Sequence, residues 1–156
     1  MEIEAYTVRS YEESGVGFEA LVEAVERLEK LLPGGGTFTQ KGVDVRAYAE
    51  KIIRFGFVDL VLAPDKEIVG ICVYYANDRE AFIAHASVLI LKPEVVAKAV
   101  IFIRRGIRNA KAQGMREFRL TVLKSNIQAI RIYERFGFVV CGENGEKFEM
   151  SKDLTS

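Results

Sequence analysis

Residues 123–138 (LKSNIQAIRIYERFGF) constrain this chain more than any other stretch. They read as the end of a strand, a capped helix and a glycine stop. Ser125 is the expected N-cap, and Gln128, three residues on, completes a capping box. Ala129, Tyr133 and Phe136 share one stripe at helical spacing, and Gly137 supplies the left-handed residue that ends the helix. By spacing alone Tyr133 is a core tyrosine held one turn before the stop.

Residues 3–8 alternate as a first strand, and residues 18–32 repeat apolar positions at helical period. Pro33 and three glycines end that helix and open a loop over residues 34–42. A second helix follows over 43–55 and is closed by Gly56. Strands are expected at 57–62, 68–75 and 81–91, separated by turns at 64–67 and 77–80. A helix over 94–113 ends at Gly114, and a strand over 118–123 leads into the opening segment. A hairpin of 139–141 and 147–151 closes the order. Three consecutive strands followed by helix, strand, helix and hairpin specify an α+β fold, a mixed, mainly antiparallel central sheet flanked by helices. With no repeat, linker or low-complexity tract, residues 1–156 are expected to form one domain.

Bulk properties exclude several function classes. No window approaches the roughly 18–20 apolar residues of a membrane span, so no membrane partner is expected. The acidic N-terminus lacks the basic-then-apolar layout of a secretory signal, which points to the cytoplasm. Cys72 and Cys141 lie far apart and read as buried, reduced thiols; with His85 the single histidine, no metal centre is expected. Formal net charge is zero, which argues against nucleic acid as a partner. The charge is uneven, however. Residues 1–32 carry eight acids against three bases, while residues 94–119 carry seven bases against two acids. That basic stretch, Lys98 through Arg119, reads either as a solvated helix face or as a surface for a polyanionic small molecule.

The order Asn126, Ala129, Tyr133, Gly137-Phe138 resembles the C-terminal signature of the GNAT superfamily of acetyl-CoA-dependent N-acetyltransferases. The resemblance covers about residues 57–151. It implies a GNAT-like sheet in which the strand over 81–91 splays from the strand over 118–123. Acetyl-CoA would be the cosubstrate. Ser87, Val88, Leu89, Ile90 and Leu91 would offer backbone hydrogen bonds to its pantetheine arm, and Asn126 and Tyr133 would face the thioester. The family's tyrosine commonly acts as general acid toward the departing thiolate. A phenol, with an ordinary pKa near 10, has a proton to give at neutral pH. A cationic amine must lose a proton before it attacks, and His85, on the strand where such enzymes often place a base, is the candidate to take it.

The family usually follows that strand with a loop of the form Q/R-x-x-G-x-G/A, whose backbone cradles a pyrophosphate at a helix N-terminus. This chain reads KPEVVAKA over residues 92–99, with no glycine. By the resemblance Val96, Ala97, Lys98 and Ala99 would meet the pyrophosphate. The acceptor would be the amine of a small molecule, lying against residues 34–42, and a homodimer through the C-terminal strands is one option. The glycine-free loop leaves a second reading open, a GNAT-like binding or assembly module without catalysis, and a third, an enzyme for a different acyl donor.

Overall fold

The structure, a computed structural model, describes residues 6–31, 44–76, 80–88 and 93–155. The sequence readings for residues 34–42, for the turn at 77–79 and for Leu89, Ile90 and Leu91 lie outside them. Its elements run β1 (Thr7–Ser10), α1 (Tyr11–Ser14), α2 (Phe18–Leu31), α3 (Val45–Phe55), β2 (Phe57–Leu62), β3 (Ile68–Tyr75), β4 (Glu80–Val88), α4 (Pro93–Ala112), β5 (Glu117–Leu123), α5 (Ile127–Arg135), β6 (Val139–Asn144) and β7 (Lys147–Asp153). This is a mixed fold with mainly antiparallel ladders and flanking helices, as expected. β2 and β3 fall where their largely apolar runs place them, with Asp59 the one charged residue of β2, itself buried. α1 is the element with no counterpart in the sequence reading, because four residues are too few to show a period.

Contacts group the chain into two compact units, one of Met1–Val73 with His85–Ala99 and one of Tyr74–Ala84 with Val100–Ser156. In the first, β1 pairs antiparallel with β2 from Thr7↔Leu62 to Ser10↔Asp59, and β3 follows β2 in the sheet. Leu60, Val61, Val69 and Ile71 are buried, which is the composition of strands covered on both faces. Helix α2 buries Leu21, Val22 and Val25 and leaves Glu19, Glu23 and Glu26 exposed. Its neighbour α3 buries Ala49 and Ile52 and starts at Asp44, whose Oδ1 accepts from the Arg46 N–H at 2.9 Å. Arg46 ties the two helices through an ion pair to Glu19 at 2.6 Å. At the β2–β3 turn Lys66 takes a left-handed φ of 70°, and its N–H donates to Ala63 O at 2.8 Å.

In the second unit β5 is paired along its whole length with β7, from Glu117↔Asp153 to Leu123↔Lys147. On its other side the register with β4 is parallel and short, from Glu80↔Glu117 to Phe82↔Arg119. The described register of β4 with β5 thus covers three residue pairs, against seven for β5 with β7. β6 and β7 form the closing hairpin, longer than expected at both strands. Its register shifts between Val140 and Gly142, leaving Cys141 as the extra residue of a bulge. Among the described residues of this unit, Tyr74, Phe102, Phe118, Phe138 and Met150 are the largest fully buried side chains.

Candidate active site

Helix α5 starts one residue later than the spacing predicts. Asn126 is the N-cap, and its Oδ1 accepts from the Ala129 N–H at 3.2 Å. Serine and asparagine are comparable caps. The Asn126 N–H donates to Leu123 O at 2.9 Å, and this turn carries the chain past Ser125 before the helix begins. Gln128 consequently stands at the second helical position, where the reciprocal half of a capping box does not form. Asn126 is exposed, and one face of its amide is committed to the helix.

The other end of α5 is a Schellman stop. The Gly137 N–H donates to Glu134 O at 3.0 Å and the Phe138 N–H to Tyr133 O at 3.1 Å, with Gly137 at φ 95°. The apolar contact that accompanies such stops joins the same two residues. The Tyr133 and Phe138 rings meet edge to face with centroids 5.8 Å apart. Tyr133 is half-buried and α5 has no fully buried residue, so the core position expected from spacing is only partly realised. A Cβ at Gly137 would meet only the movable end of the Lys152 side chain, so it is the left-handed φ that disfavours other residues here.

Phe138 is itself anchored. It is 1% exposed and stands T-shaped on Phe118 at 5.9 Å; Phe118 in turn lies 6.0 Å from the fully buried Tyr74. Asn109 Nδ2 donates to Tyr74 Oη at 2.6 Å. Gly106 of α4 makes room for this cluster, since a Cβ there would come within 3.2 Å of the Phe118 ring. The sequence reading singled out Phe138 in its motif but missed Tyr74, Gly106, Asn109 and Phe118 behind it. A glycine inside a long helical pattern was the one available signal.

Of the residues expected at the donor, Ser87 and Val88 lie on β4, as does His85. Val96, Ala97, Lys98 and Ala99 lie in the first two turns of α4, which is helical from Pro93. The only non-glycine residue with positive φ among the described residues is Lys66, so residues 93–99 have no left-handed position that would call for glycine. Proline at the first helical position is favourable, and first-turn N–H groups lack intrahelical acceptors. Val95 is fully buried, so this turn presents backbone rather than that side chain. Glu94 is exposed beside those N–H groups.

The basic stretch divides. Arg104, Arg108, Lys111 and Arg116 are exposed, whereas Arg119 reaches Glu117 at 3.6 Å and Glu149 at 3.9 Å. Of the two thiols only Cys72 is buried as expected, and burial pushes its pKa upward. Cys141 is exposed because the strand carrying it is open on both faces, with Val139 and Val140 also exposed. Among the described residues no helix is long and apolar enough to cross a membrane, and no cluster of His, Cys, Asp and Glu could hold a metal ion.

Residues 26–138 match the family model described as acetyltransferase (GNAT) family. The chain belongs to the GNAT acetyltransferases. Solved structures agree on the fold. A GNAT-family acetyltransferase from Staphylococcus aureus aligns with TM-score 0.73 at 15% identity, over 97% of this chain and all of that one. The ribosomal-protein-S18-alanine N-acetyltransferase of Escherichia coli gives 0.68 at 15% identity, over 97% and 95%. The PaiA N-acetyltransferase of Thermoplasma acidophilum, solved in complex with coenzyme A, gives 0.62 at 21% identity, over 96% and 99%. No curated protein sequence matches the chain.

Membership makes this GNAT protein an acetyltransferase and acetyl-CoA its donor. The chemistry present fits that donor. The first turn of α4 offers backbone N–H groups and a helix dipole to an anion, with Glu94 opposing and Lys98 one turn further on. The α5 end offers a half-buried phenol.

Proposed function

We propose that this protein moves acetyl from acetyl-CoA to the amine of a small molecule, with the whole chain acting as one acyltransferase domain. The observation that carries the reading is Tyr133, half-buried, with its backbone and ring both fixed by the Schellman stop of α5. Acetyl-CoA, when bound, supplies an acyl group activated as a thioester. Tyr133 is assigned the general acid, because an ordinary phenol has a proton to give at neutral pH, here to the leaving sulfur. His85 is assigned the base that takes the proton of the ammonium, on its chemistry and its place on β4. Ser87 and Val88, with Leu89, Ile90 and Leu91, are assigned backbone bonds to the pantetheine arm. Val96, Ala97, Lys98 and Ala99 are assigned to the pyrophosphate, and Asn126 to the thioester end through the part of its amide the cap leaves open.

The test is Tyr133→Phe. Loss of a general acid costs on the order of 100-fold in kcat or more, with donor affinity unchanged because the hydroxyl acts in the transition state. A variant as fast as the wild type would relegate Tyr133 to packing. The sequence reading also leaves open a second option, a module of this fold without catalysis. It requires a melting temperature indifferent to acetyl-CoA, whereas a ligand at about 100 times its Kd stabilises by roughly 2.7 kcal/mol.

A further inference from the structure

Helix α5 does not fix the Tyr133 ring by burial, since it has no fully buried residue. A residue past the end of the helix holds Tyr133 by both backbone and ring. Phe138 donates its N–H to the Tyr133 carbonyl at 3.1 Å and sets its ring edge-on to the tyrosine at an interplanar angle of 63°. Phe138 is held against Phe118, Phe118 against Tyr74, and Tyr74 is pinned by the Asn109 hydrogen bond. We infer that Phe138 is a positioning residue for Tyr133, seated by the Phe118–Tyr74–Asn109 cluster that Gly106 admits into the core.

The inference rests on the reading of Tyr133 as general acid and adds what aims it. Close-packed interiors pass displacement from side chain to side chain rather than absorb it. A methyl group at Gly106 would stand 3.2 and 3.3 Å from Phe118 Cε2 and Cζ and 3.8 Å from Tyr74 Cε1. The Phe118 ring must then give by a few tenths of an ångström, and Phe138 stands on that ring. Glycine inside a helix carries a cost in propensity, and at position 106 the close approach of two rings accounts for it. A proton donor displaced by about 1 Å loses on the order of 100-fold in rate, so a smaller shift is readable in turnover.

The experiment is a double-mutant cycle. Phe138→Leu and Gly106→Ala are each made in the wild type and in Tyr133→Phe. Thiol release from acetyl-CoA is followed with a mixture of spermidine, lysine amide and alanine amide as amines. With Tyr133 present, Phe138→Leu is expected to lower kcat about 10-fold and Gly106→Ala about 3-fold, while the Kd for acetyl-CoA stays within about twofold. In the Tyr133→Phe background neither is expected to lower it further, because the group being aimed is gone. Equal losses in both backgrounds would mean that the cluster only packs, and would overturn the inference while leaving Tyr133 in its role. A wild type that releases no thiol, or a Tyr133→Phe variant as fast as the wild type, would overturn the general-acid reading and the positioning role with it. Thermal melts accompany each variant. If Phe138→Leu fails to fold, Gly106→Ala, which adds a good helix former, carries the same comparison.

Discussion

The two compact units contrast in charge and in how they treat a helix end. The first holds ten bases against fourteen acids, the second twelve against eight, so a chain of zero net charge is internally divided. In the first unit α4 begins without a glycine, spends Val95 on the core and exposes Glu94 in its first turn. In the second, α5 has an asparagine cap, a glycine stop and a tyrosine held by both backbone and ring. One end is built from side chains in fixed places. The other offers backbone, and its residues can vary as long as they remain helical. This is why a glycine-free stretch is compatible with family membership: helical φ values make no demand for glycine, whereas φ 95° at Gly137 does.

That contrast can be broken by substitution, and the largest effect is expected at the stop. Gly137→Val puts a β-branched residue at φ 95°, and a loss of about 2–3 kcal/mol is expected by denaturant unfolding. Val96→Ala at the start of α4, by contrast, is expected to leave the helix intact by circular dichroism. A Gly137→Val protein as stable as the wild type would remove the distinction between the two ends.

The buried and the open thiol carry the contrast into pH. Burial keeps the folded Cys72 thiol protonated where the unfolded one, with an ordinary pKa near 8.5, ionises. Above that pH the unfolded chain binds fewer protons than the folded one, so stability falls as pH rises; below it the contribution is complete. A loss of roughly 1 kcal/mol per pH unit is expected above about pH 9, flattened in Cys72→Ala. A thiol reagent at neutral pH is expected to label Cys141 in the native protein and Cys72 only after unfolding. Rapid native labelling of both would contradict the burial of β3.

Smaller effects sharpen the two helix starts. Asn126→Ala is expected to cost about 1 kcal/mol through the lost cap, while Asn126→Ser, keeping a cap, costs a fraction of that. Glu94→Gln removes an anion from the first turn of α4. If acetyl-CoA uses that turn, its Kd is expected to tighten about two- to fivefold, with the gain shrinking at high salt. No change in Kd would place the pyrophosphate away from α4.

Much of this was legible in the sequence, for physical reasons that differ by element. β2 and β3 announce themselves as largely apolar runs, broken in β2 only by Asp59, and bounded by Gly56, the turn at residues 64–67 and, at the far end, residues 77–80. The α5 stop was readable from Gly137-Phe138, because a left-handed residue after a helical stripe has few substitutes. The cap was misplaced by one residue, since Ser125 and Asn126 are equivalent by propensity and the Leu123–Asn126 turn decides between them. Cys141 was expected to be buried because cysteine usually is; its place on an open hairpin strand is tertiary information. The cluster behind Tyr133 joins β3, α4, β5 and the segment after α5, and local spacing cannot bring such distant residues together. Tyr133 and Asn126 are found at the two ends of α5, while His85, Ser87 and Val88 are placed only as members of β4.

A donor held by a chain whose α4 start is glycine-free is then used through Tyr133 in the reaction proposed. Calorimetric titration of acetyl-CoA into wild type and Tyr133→Phe, with turnover measured on the same samples, tests it most directly. We expect a submillimolar Kd that is the same in both proteins, and turnover about 100-fold lower in the variant. Absence of binding to the wild type, or equal turnover by the two, would contradict it.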